Sequence, residues 1–211
     1  MVLYILQGLI WTVIITVGSF AIGSLLGVAV AGARTAASKI VRVLGRIYVE
    51  IIRSVPPLVW LFLVFFGLAE IGLKLTPFQA AMLTFSVIAS AYLGEIYRGG
   101  LATLGRGQIE ASNSLGLSRL DLLVRIVSPQ VFRTVSPSMV TYGIGLMKDS
   151  ALASTIGVVE MTFRANQVTQ NTGQGLAAFA IVGGAYLLLS IPLGFWARGV
   201  DEKMRKKYVV N

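Results

Sequence analysis

Two adjacent charges inside a long apolar stretch are the residues of this sequence best suited to bind a polar ligand. Lys148 and Asp149 begin about thirteen residues into an apolar segment at 135–159, about 20 Å along a helix axis. A Lys or Asp at the centre of a membrane span costs about 2.5–3.5 kcal/mol, so such residues usually face protein or water. Neighbouring residues of a helix do not face each other, so the two charges should reach different partners. Two interpretations stay open. The charges face a central cavity, where Asp149 would accept an ammonium group and Lys148 would attract a carboxylate, or they clamp two helices together.

Other polar and aromatic residues lie near the ends of neighbouring apolar stretches. Glu95 precedes Arg98 by three residues, a spacing that favours a local ion pair over a role in ligand binding. Pro56 and Pro57 remove two backbone donors and predict a kink or a break. Because a membrane tolerates such a break where it borders a cavity, we expect this segment beside a pathway. The sequence does not decide whether Trp60 anchors the chain at the membrane interface or lines that pathway.

Most enzymatic chemistry is excluded by residues that the sequence lacks. It has no cysteine and no histidine, which excludes disulfide scaffolds, thiolate nucleophiles, histidine-based triads and the usual zinc sites. The phosphate-binding pattern GxxxxGK[ST] does not occur either, so the chain does not bind ATP in that manner. We predict a protein that is not an enzyme, that binds no cofactor or metal, and that draws its energy from another polypeptide.

A polar, amphipathic segment at 98–133 follows the third apolar stretch. Residues 110–115 are compatible with a helix, Gly116 can end that helix, and Ser118 can cap the next one. The resulting helix-turn-helix has one apolar face, formed by Ile109, Leu115, Leu117, Leu120, Leu123 and Val124. One interpretation of this face is a connector that rests on lipid headgroups.

The spacing within this segment also resembles a known docking signature. Glu110-Ala111, Gly116, Ile126 and Pro129 resemble the EAA loop of permease subunits of binding-protein-dependent ATP-binding-cassette importers. The resemblance implies that residues 107–130 hold a short coupling helix that inserts into a groove of a cytoplasmic ATPase subunit. Ser112 replaces the second alanine of the loop, a small change that should leave docking intact. The candidate coupling residues are Glu110, Ala111, Ser112, Gly116, Ile126 and Pro129.

Four further stretches resemble the polar amino acid permeases of that family. They lie at 53–59, 90–100, 148–152 and 156–160. With the residues considered above, the candidate pathway residues are Val55, Pro56, Trp60, Glu95, Lys148, Asp149 and Ser150. Val55 and Ala151 stand where relatives carry threonine and serine, so this chain would offer fewer hydroxyl groups to a substrate.

The elements that would position these residues are membrane spans. Only 13% of the residues are charged and 55% are hydrophobic, with a mean hydropathy of +0.79, whereas a soluble domain carries about 25% charged residues. We predict an all-α membrane protein of one domain, similar to type I importer permeases. Since a span takes roughly 20 residues, five spans are expected near 8–31, 56–73, 75–94, 135–159 and 176–197. In the first span, Gly23 and Gly27 form a GxxxG pair that we interpret as ordinary helix packing.

The distribution of basic residues predicts the orientation in the membrane. Fifteen of the eighteen Lys and Arg residues fall in the 34–53 loop, the 98–133 segment and the C-terminal tail, which five spans place on one side. Positive loops stay in the cytoplasm, so the N-terminus should lie outside and the C-terminus inside. The net charge of +9 is thus interpreted as topological bias, not as a nucleic-acid surface.

The resemblance implies an inner-membrane permease subunit that imports polar amino acids. Its partners would be two ATPase subunits that use ATP and Mg²⁺, a second permease (a homologue in preference to a second copy of itself), an extracytoplasmic binding protein and membrane lipid. Two other interpretations remain open. One is a secondary transporter, although the inverted repeats frequent in that class are not visible. The other is an interaction subunit without a pathway of its own.

Overall fold

The computed structural model describes residues 1–105, 107 and 116–208. Within them the α-helices, in chain order, are α1 (Val2–Leu6), α2 (Leu9–Thr35), α3 (Lys39–Ser54), α4 (Pro57–Phe62), α5 (Leu68–Glu70), α6 (Pro77–Ala102), α7 (Arg119–Asp121), α8 (Ser128–Asp149), α9 (Met161–Thr172) and α10 (Gly175–Tyr208). Wider π-helical turns cover Leu63–Gly67 and Leu122–Val127, and a tighter 3₁₀ helix covers Ser150–Ile156. The predicted all-α class is confirmed.

Helices α2 and α6 form the centre of the fold, and small residues let them approach closely. Gly23 of α2 lies against Ala89 of α6, where even a methyl group on the glycine would clash with the alanine side chain. One turn on, Gly27 lies against the backbone of Gly94. The interpretation of the GxxxG pair as helix packing is confirmed, and α6 is the partner. Helix α6 starts with a capping box between Thr76 and Gln79, followed by Pro77 at its first position.

The basic stretch expected as a loop at 34–53 contains a helix, α3. Lysine and arginine side chains lie along its exposed surface, while Val49 and Ile52 are buried in the main core. The chain then turns sharply: α3 and the α4–α5 segment are bent by 99° relative to each other across a short break. The predicted break at Pro56 is therefore confirmed.

The stretch expected as the fourth span changes its geometry at the charge pair. Helix α8 ends at Asp149, and the chain continues as the 3₁₀ helix Ser150–Ile156 up to Gly157, whose φ is +98°. A side chain is strained at that φ, so glycine is the residue suited to this turn. Residues 158–160 then lead into α9, which packs with α1 and α10 in a second, smaller hydrophobic cluster.

Three helical stretches of the described chain are long and apolar enough to cross a bilayer: Val2–Thr35, Pro77–Ala102 and Gly175–Val200. The number rises to four if the bent pair Lys39–Ser54 and Pro57–Glu70 counts as one span. Helix α8 is not among them; it carries Arg133, Lys148 and Asp149. The count of five spans stays a prediction.

Candidate functional site

The break before α4 is stabilised by a tryptophan side chain. Proline has no N–H group, so Pro56 cannot donate to the carbonyl of Ile52 as the next residue of a continuing helix would. The indole Nε1–H of Trp60 donates to that carbonyl instead, at 3.1 Å. Val55 and Pro56 are extended and form the corner itself. Trp60 therefore has a role that neither sequence interpretation included: it bonds across the corner.

An arginine and two tyrosines connect the corner to the middle of the fold. The guanidinium carbon of Arg53, at the end of α3, lies 4.8 Å from the ring centroid of Tyr92 on α6. Tyr92 stacks on Tyr142 of α8, with the centroids 5.1 Å apart and the rings inclined by 19°. Such cation–π contacts attract through the ring quadrupole. Tyr142 is not among the residues that the sequence pattern indicates, although it precedes Asp149 by seven residues and so lies near the same helix face.

Next to this stack lies a cavity of about 620 Å³ between α6, α8 and α10. Its walls are mostly apolar, with hydroxyl groups from Ser138, Thr141 and Tyr142 and a cationic side chain from Arg198. Pockets of a few hundred Å³ with few polar groups are typical of small-molecule sites. Neither Lys148 nor Asp149 lines this cavity.

The charge pair Lys148–Asp149 closes α8. Lys148 is exposed and Asp149 is half-buried. Among the residues that the structure describes, neither side chain makes an ion pair or a hydrogen bond, so the interhelical clamp is not formed there. Ser150 is fully buried, and its hydroxyl donates to the carbonyl of Met147 at 2.7 Å. The candidate ligands are thus Lys148 and Asp149, with Ser150 packed behind them.

Glu95 lies between two arginines. Its carboxylate accepts from Arg98, with one contact of 2.9 Å, as the spacing predicts. It also accepts from Nε of Arg34 at 2.7 Å, a contact between α6 and the end of α2. Only 14% of the Arg34 side chain and 16% of the Glu95 side chain are exposed. The carboxylate is thus occupied by protein partners, and its geometry favours the ion pair over substrate binding.

The expected coupling segment is described in part. Glu110, Ala111 and Ser112 lie outside the described residues. Gly116 has φ +70°, a left-handed conformation that suits the end of a helix. Ser118 caps α7, because its hydroxyl accepts from the N–H of Asp121 at 3.1 Å.

The second half of this segment has apolar side chains exposed on the surface of the protein. Ile126 lies in the π-helical turn and Pro129 in the first turn of α8. Leu120, Leu123 and Val124, which belong to the predicted apolar face, are exposed. An exposed apolar face on a segment next to the membrane fits either lipid or a protein partner.

A buried carboxylate to which the sequence pattern assigns no role lies before α9. Glu160 is fully buried and caps α9, since its Oε1 accepts from the N–H of Phe163 at 2.7 Å. Burial raises the pKa of this carboxyl above its usual range, and the backbone bonds to Thr162 and Phe163 oppose that rise. The available signal was its place in the 156–160 stretch, which resembles polar amino acid permeases.

Sequence comparison places the chain among membrane components of importers. Residues 23–206 match the family described as the binding-protein-dependent transport system inner membrane component. The probable glutamine ABC transporter permease GlnM of Bacillus subtilis is 32% identical over 95% of this chain and 91% of its own length. The arginine transport system permease ArtQ of the same organism is 31% identical over 96% of this chain and 93% of its own.

Solved structures agree with these matches. The crystal structure of an amino acid ABC transporter with histidines superposes with a TM-score of 0.85 and 27% identity, covering 95% of this chain and 94% of that chain. The inward-facing methionine ABC transporter MetNI superposes with a TM-score of 0.69 over 92% of this chain and 93% of its own, and at 19% identity it shows the shared fold.

Proposed function

The chain belongs to the family of binding-protein-dependent transport system inner membrane components, and on that premise we propose that it forms one half of a membrane pathway for polar amino acids. It is a permease subunit of an ATP-binding-cassette importer. The relatives named above are permeases for glutamine and arginine, and a third, TcyB of Bacillus subtilis, is an L-cystine permease 32% identical over 97% of this chain and 87% of its own. These substrates share an ammonium and a carboxylate on one carbon.

The proposal rests on Lys148 and Asp149, two adjacent charged residues whose side chains have no ion-pair partner among the described residues. An amino acid presents opposite charges to the site, so Asp149 would accept from its ammonium group and Lys148 would bind its carboxylate. Within the described residues both side chains are without an ion-pair partner. Since charged residues in membrane spans usually pair with each other or face a pathway, a zwitterionic substrate would supply the missing partners.

The partners follow from the same family membership. Two ATPase subunits would dock on the segment around Gly116, where Leu120, Leu123 and Val124 are exposed, and would use ATP and Mg²⁺. An extracytoplasmic binding protein would deliver the substrate. The second permease is a homologue in preference to a second copy, because Val55 and Ala151 lack the hydroxyl groups that relatives carry there.

The test is uptake by the purified importer in proteoliposomes. The complex is isolated through a tag on this chain, its subunits are identified by mass spectrometry, and a panel of labelled amino acids is offered with ATP inside and binding protein outside.

We expect Asp149→Asn to raise the KM for uptake more than tenfold, because a hydrogen bond to a charged group contributes about 1.5–3 kcal/mol. Glu50→Gln, at an exposed position, is the control. Wild-type KM in Asp149→Asn would remove Asp149 from the pathway, and absence of uptake for every amino acid would contradict the substrate class. A complex whose only permease is this chain would contradict the heteromer.

Coupling to the ATPase is tested at Gly116. Its φ of +70° strains any side chain, and leucine in particular, so Gly116→Leu should deform the turn before α7. We expect uptake to fall at least tenfold while insertion and basal ATP hydrolysis persist. Gly116→Asn is the matched control, because asparagine tolerates the left-handed conformation. Full substrate-stimulated turnover in Gly116→Leu would contradict the coupling role.

A further inference from the structure

Four elements meet at a cluster of buried polar side chains beneath the charge pair. Thr12 of α2, Ser150 of the 3₁₀ helix and Glu160 before α9 are fully buried. Tyr186 of α10 places its hydroxyl beside Thr12, Ser150 and Glu160, without a hydrogen bond to any of them. Polar groups are seldom gathered in a buried position unless they bond to each other or to a ligand.

Two atoms of this cluster have no hydrogen-bond partner. They are Oε2 of Glu160 and the hydroxyl oxygen of Tyr186, both shielded from solvent. The other carboxylate oxygen of Glu160 is occupied by the N–H of Phe163. A tyrosine hydroxyl donates and a carboxylate oxygen accepts, so the two unpaired atoms are chemically complementary. A hydrogen bond between them would join the N-cap of α9 to α10.

The backbone around Glu160 is fixed by close packing. Gly8, at the start of α2, lies so near that a methyl group there would come within 2.5 Å of the Glu160 carbonyl carbon. Met161, the next residue, is fully buried against Ile5 in the second hydrophobic cluster. Glu160 thus presents its carboxylate from a rigid position towards Tyr186 of α10.

Ser150 connects this cluster to the charge pair. It is bonded directly to Asp149 in the chain, and its hydroxyl donates to Met147, one turn back in α8. A shift of Ser150 would therefore move the end of α8 and with it the Asp149 carboxylate. No other described side chain bonds to Asp149, so its position depends on the backbone that follows it.

We propose that Glu160 is a positioning residue for the substrate site, acting through Tyr186 and Ser150 to fix the end of α8 that carries Asp149. The proposal rests on the proposed function, since it assigns Asp149 to the substrate. Glu160 does not touch the substrate. Burial favours the neutral form of its carboxyl, so a glutamine, which keeps an acceptor oxygen and the shape of the side chain, should replace it.

The test compares Glu160→Ala with Glu160→Gln in the reconstituted importer. We expect Glu160→Ala to raise the KM for uptake about tenfold, with basal ATP hydrolysis unchanged, and Glu160→Gln to restore the KM to within about twofold of the wild type. Tyr186→Phe, which removes only the hydroxyl, should raise the KM about threefold to fivefold. Tyr4→Phe is its matched control, because the Tyr4 hydroxyl bonds to Gln167 at an exposed position, away from the buried cluster.

The outcomes separate this proposal from the proposed function. Uptake by the wild type with an unchanged KM in Glu160→Ala and Tyr186→Phe would overturn the positioning role and leave the proposed function standing. An equal loss in Glu160→Ala and Glu160→Gln would overturn it too, since a neutral isostere should position the site. If Glu160→Ala fails to assemble, Tyr186→Phe decides. If the wild type takes up no amino acid while it hydrolyses ATP, the proposed function fails, and this proposal fails with it.

Discussion

At the scale of single residues, prolines leave backbone carbonyls unbonded and nearby side chains bond to them. The carbonyl of Ile52, deprived of a donor by Pro56, accepts from Trp60. In α8 the carbonyl of Arg133, deprived by Pro137, accepts from the hydroxyl of Ser136 at 3.0 Å. In the hydrocarbon core of a membrane, no water is present to donate a hydrogen bond to an unbonded carbonyl. Trp60 and Ser136 therefore satisfy the carbonyls that Pro56 and Pro137 leave without a backbone donor.

We predict that Trp60 contributes more to the stability of the fold than the exposed Trp196 does. Trp60→Phe keeps an aromatic side chain but removes the five-membered ring with its Nε1–H, leaving the Ile52 carbonyl without its donor. We expect the free energy of unfolding to fall by about 1–3 kcal/mol, measured by thermal unfolding of the complex in detergent. Trp196→Phe is the control, because that side chain lies exposed on α10. Equal melting temperatures for the two variants would contradict the role of the indole bond.

The Glu95 ion pairs should likewise contribute more than a surface pair. Glu95→Gln leaves Arg34 largely buried without its counter-charge, so we expect a loss of about 2–4 kcal/mol that persists in high salt. The control is Glu50→Gln, whose partner Arg46 is 64% exposed and whose own side chain is 68% exposed, where we expect less than about 1 kcal/mol. Unfolding of both variants at low and high salt measures the difference, and a Glu95→Gln effect that disappears in high salt would contradict it.

The sequence could predict only the local half of these contacts. The pair between Glu95 and Arg98 follows from a spacing of three residues on one helix. Arg34 lies sixty-one residues away, and its approach depends on how α2 packs against α6. The bond from Trp60 to Ile52 depends in the same way on the angle of the break, which prolines permit but do not determine.

At the scale of elements, glycines set the short distance between α2 and α6. Gly23 and Gly94 each face a side chain of the other helix, Ala89 and Val30 respectively, with no space for a methyl group. The GxxxG pattern predicted a close contact but could not name the partner, because the same pattern also serves contacts between separate chains.

Adding a single methyl group at this contact should separate the helices. In Gly23→Ala the new carbon clashes with Ala89, and overpacking costs about 1–3 kcal/mol. Gly32→Ala is the matched control on the same helix, since open space surrounds Gly32 and alanine is the better helix former. We expect a lower melting temperature for the first variant and an equal or higher one for the second. A Gly23→Ala protein as stable as the wild type would show that α2 and α6 are not this close.

The end of α8 shows why an element boundary was missed. Three hydroxyl side chains, Ser150, Ser154 and Thr155, each donate to the carbonyl three residues earlier at 2.7 Å. These bonds accompany the tighter 3₁₀ geometry of Ser150–Ile156. An apolar average over 135–159 does not contain that information. The hydropathy pattern located the segment, while side-chain bonding changed its form at Asp149.

At the scale of the whole molecule, the charges of the chain predict its orientation. The Lys and Arg residues of α3 and of the segment leading into α8 belong to two of the three positive regions that five spans place on the cytoplasmic side. Lys74, in the turn between α5 and α6, would lie outside with Arg164. Arg164 donates to Gln7 at 3.0 Å and lies over the Tyr4 ring, whereas the side chain of Lys74 is exposed. Lys74 is therefore the better probe of the outer surface.

Labelling of single cysteines should reveal this orientation directly, because the chain has no cysteine of its own. Lys39→Cys and Lys74→Cys both replace exposed lysines, so a difference in labelling reports the side of the membrane and not burial. We expect a membrane-impermeant maleimide, added to intact cells, to label Lys74→Cys at least about tenfold faster than Lys39→Cys, since positive loops are retained in the cytoplasm. After permeabilisation both positions should react at similar rates. Labelling of Lys39→Cys in intact cells would contradict the predicted orientation. It would also place the segment around Gly116 on the side of the membrane away from a cytoplasmic ATPase.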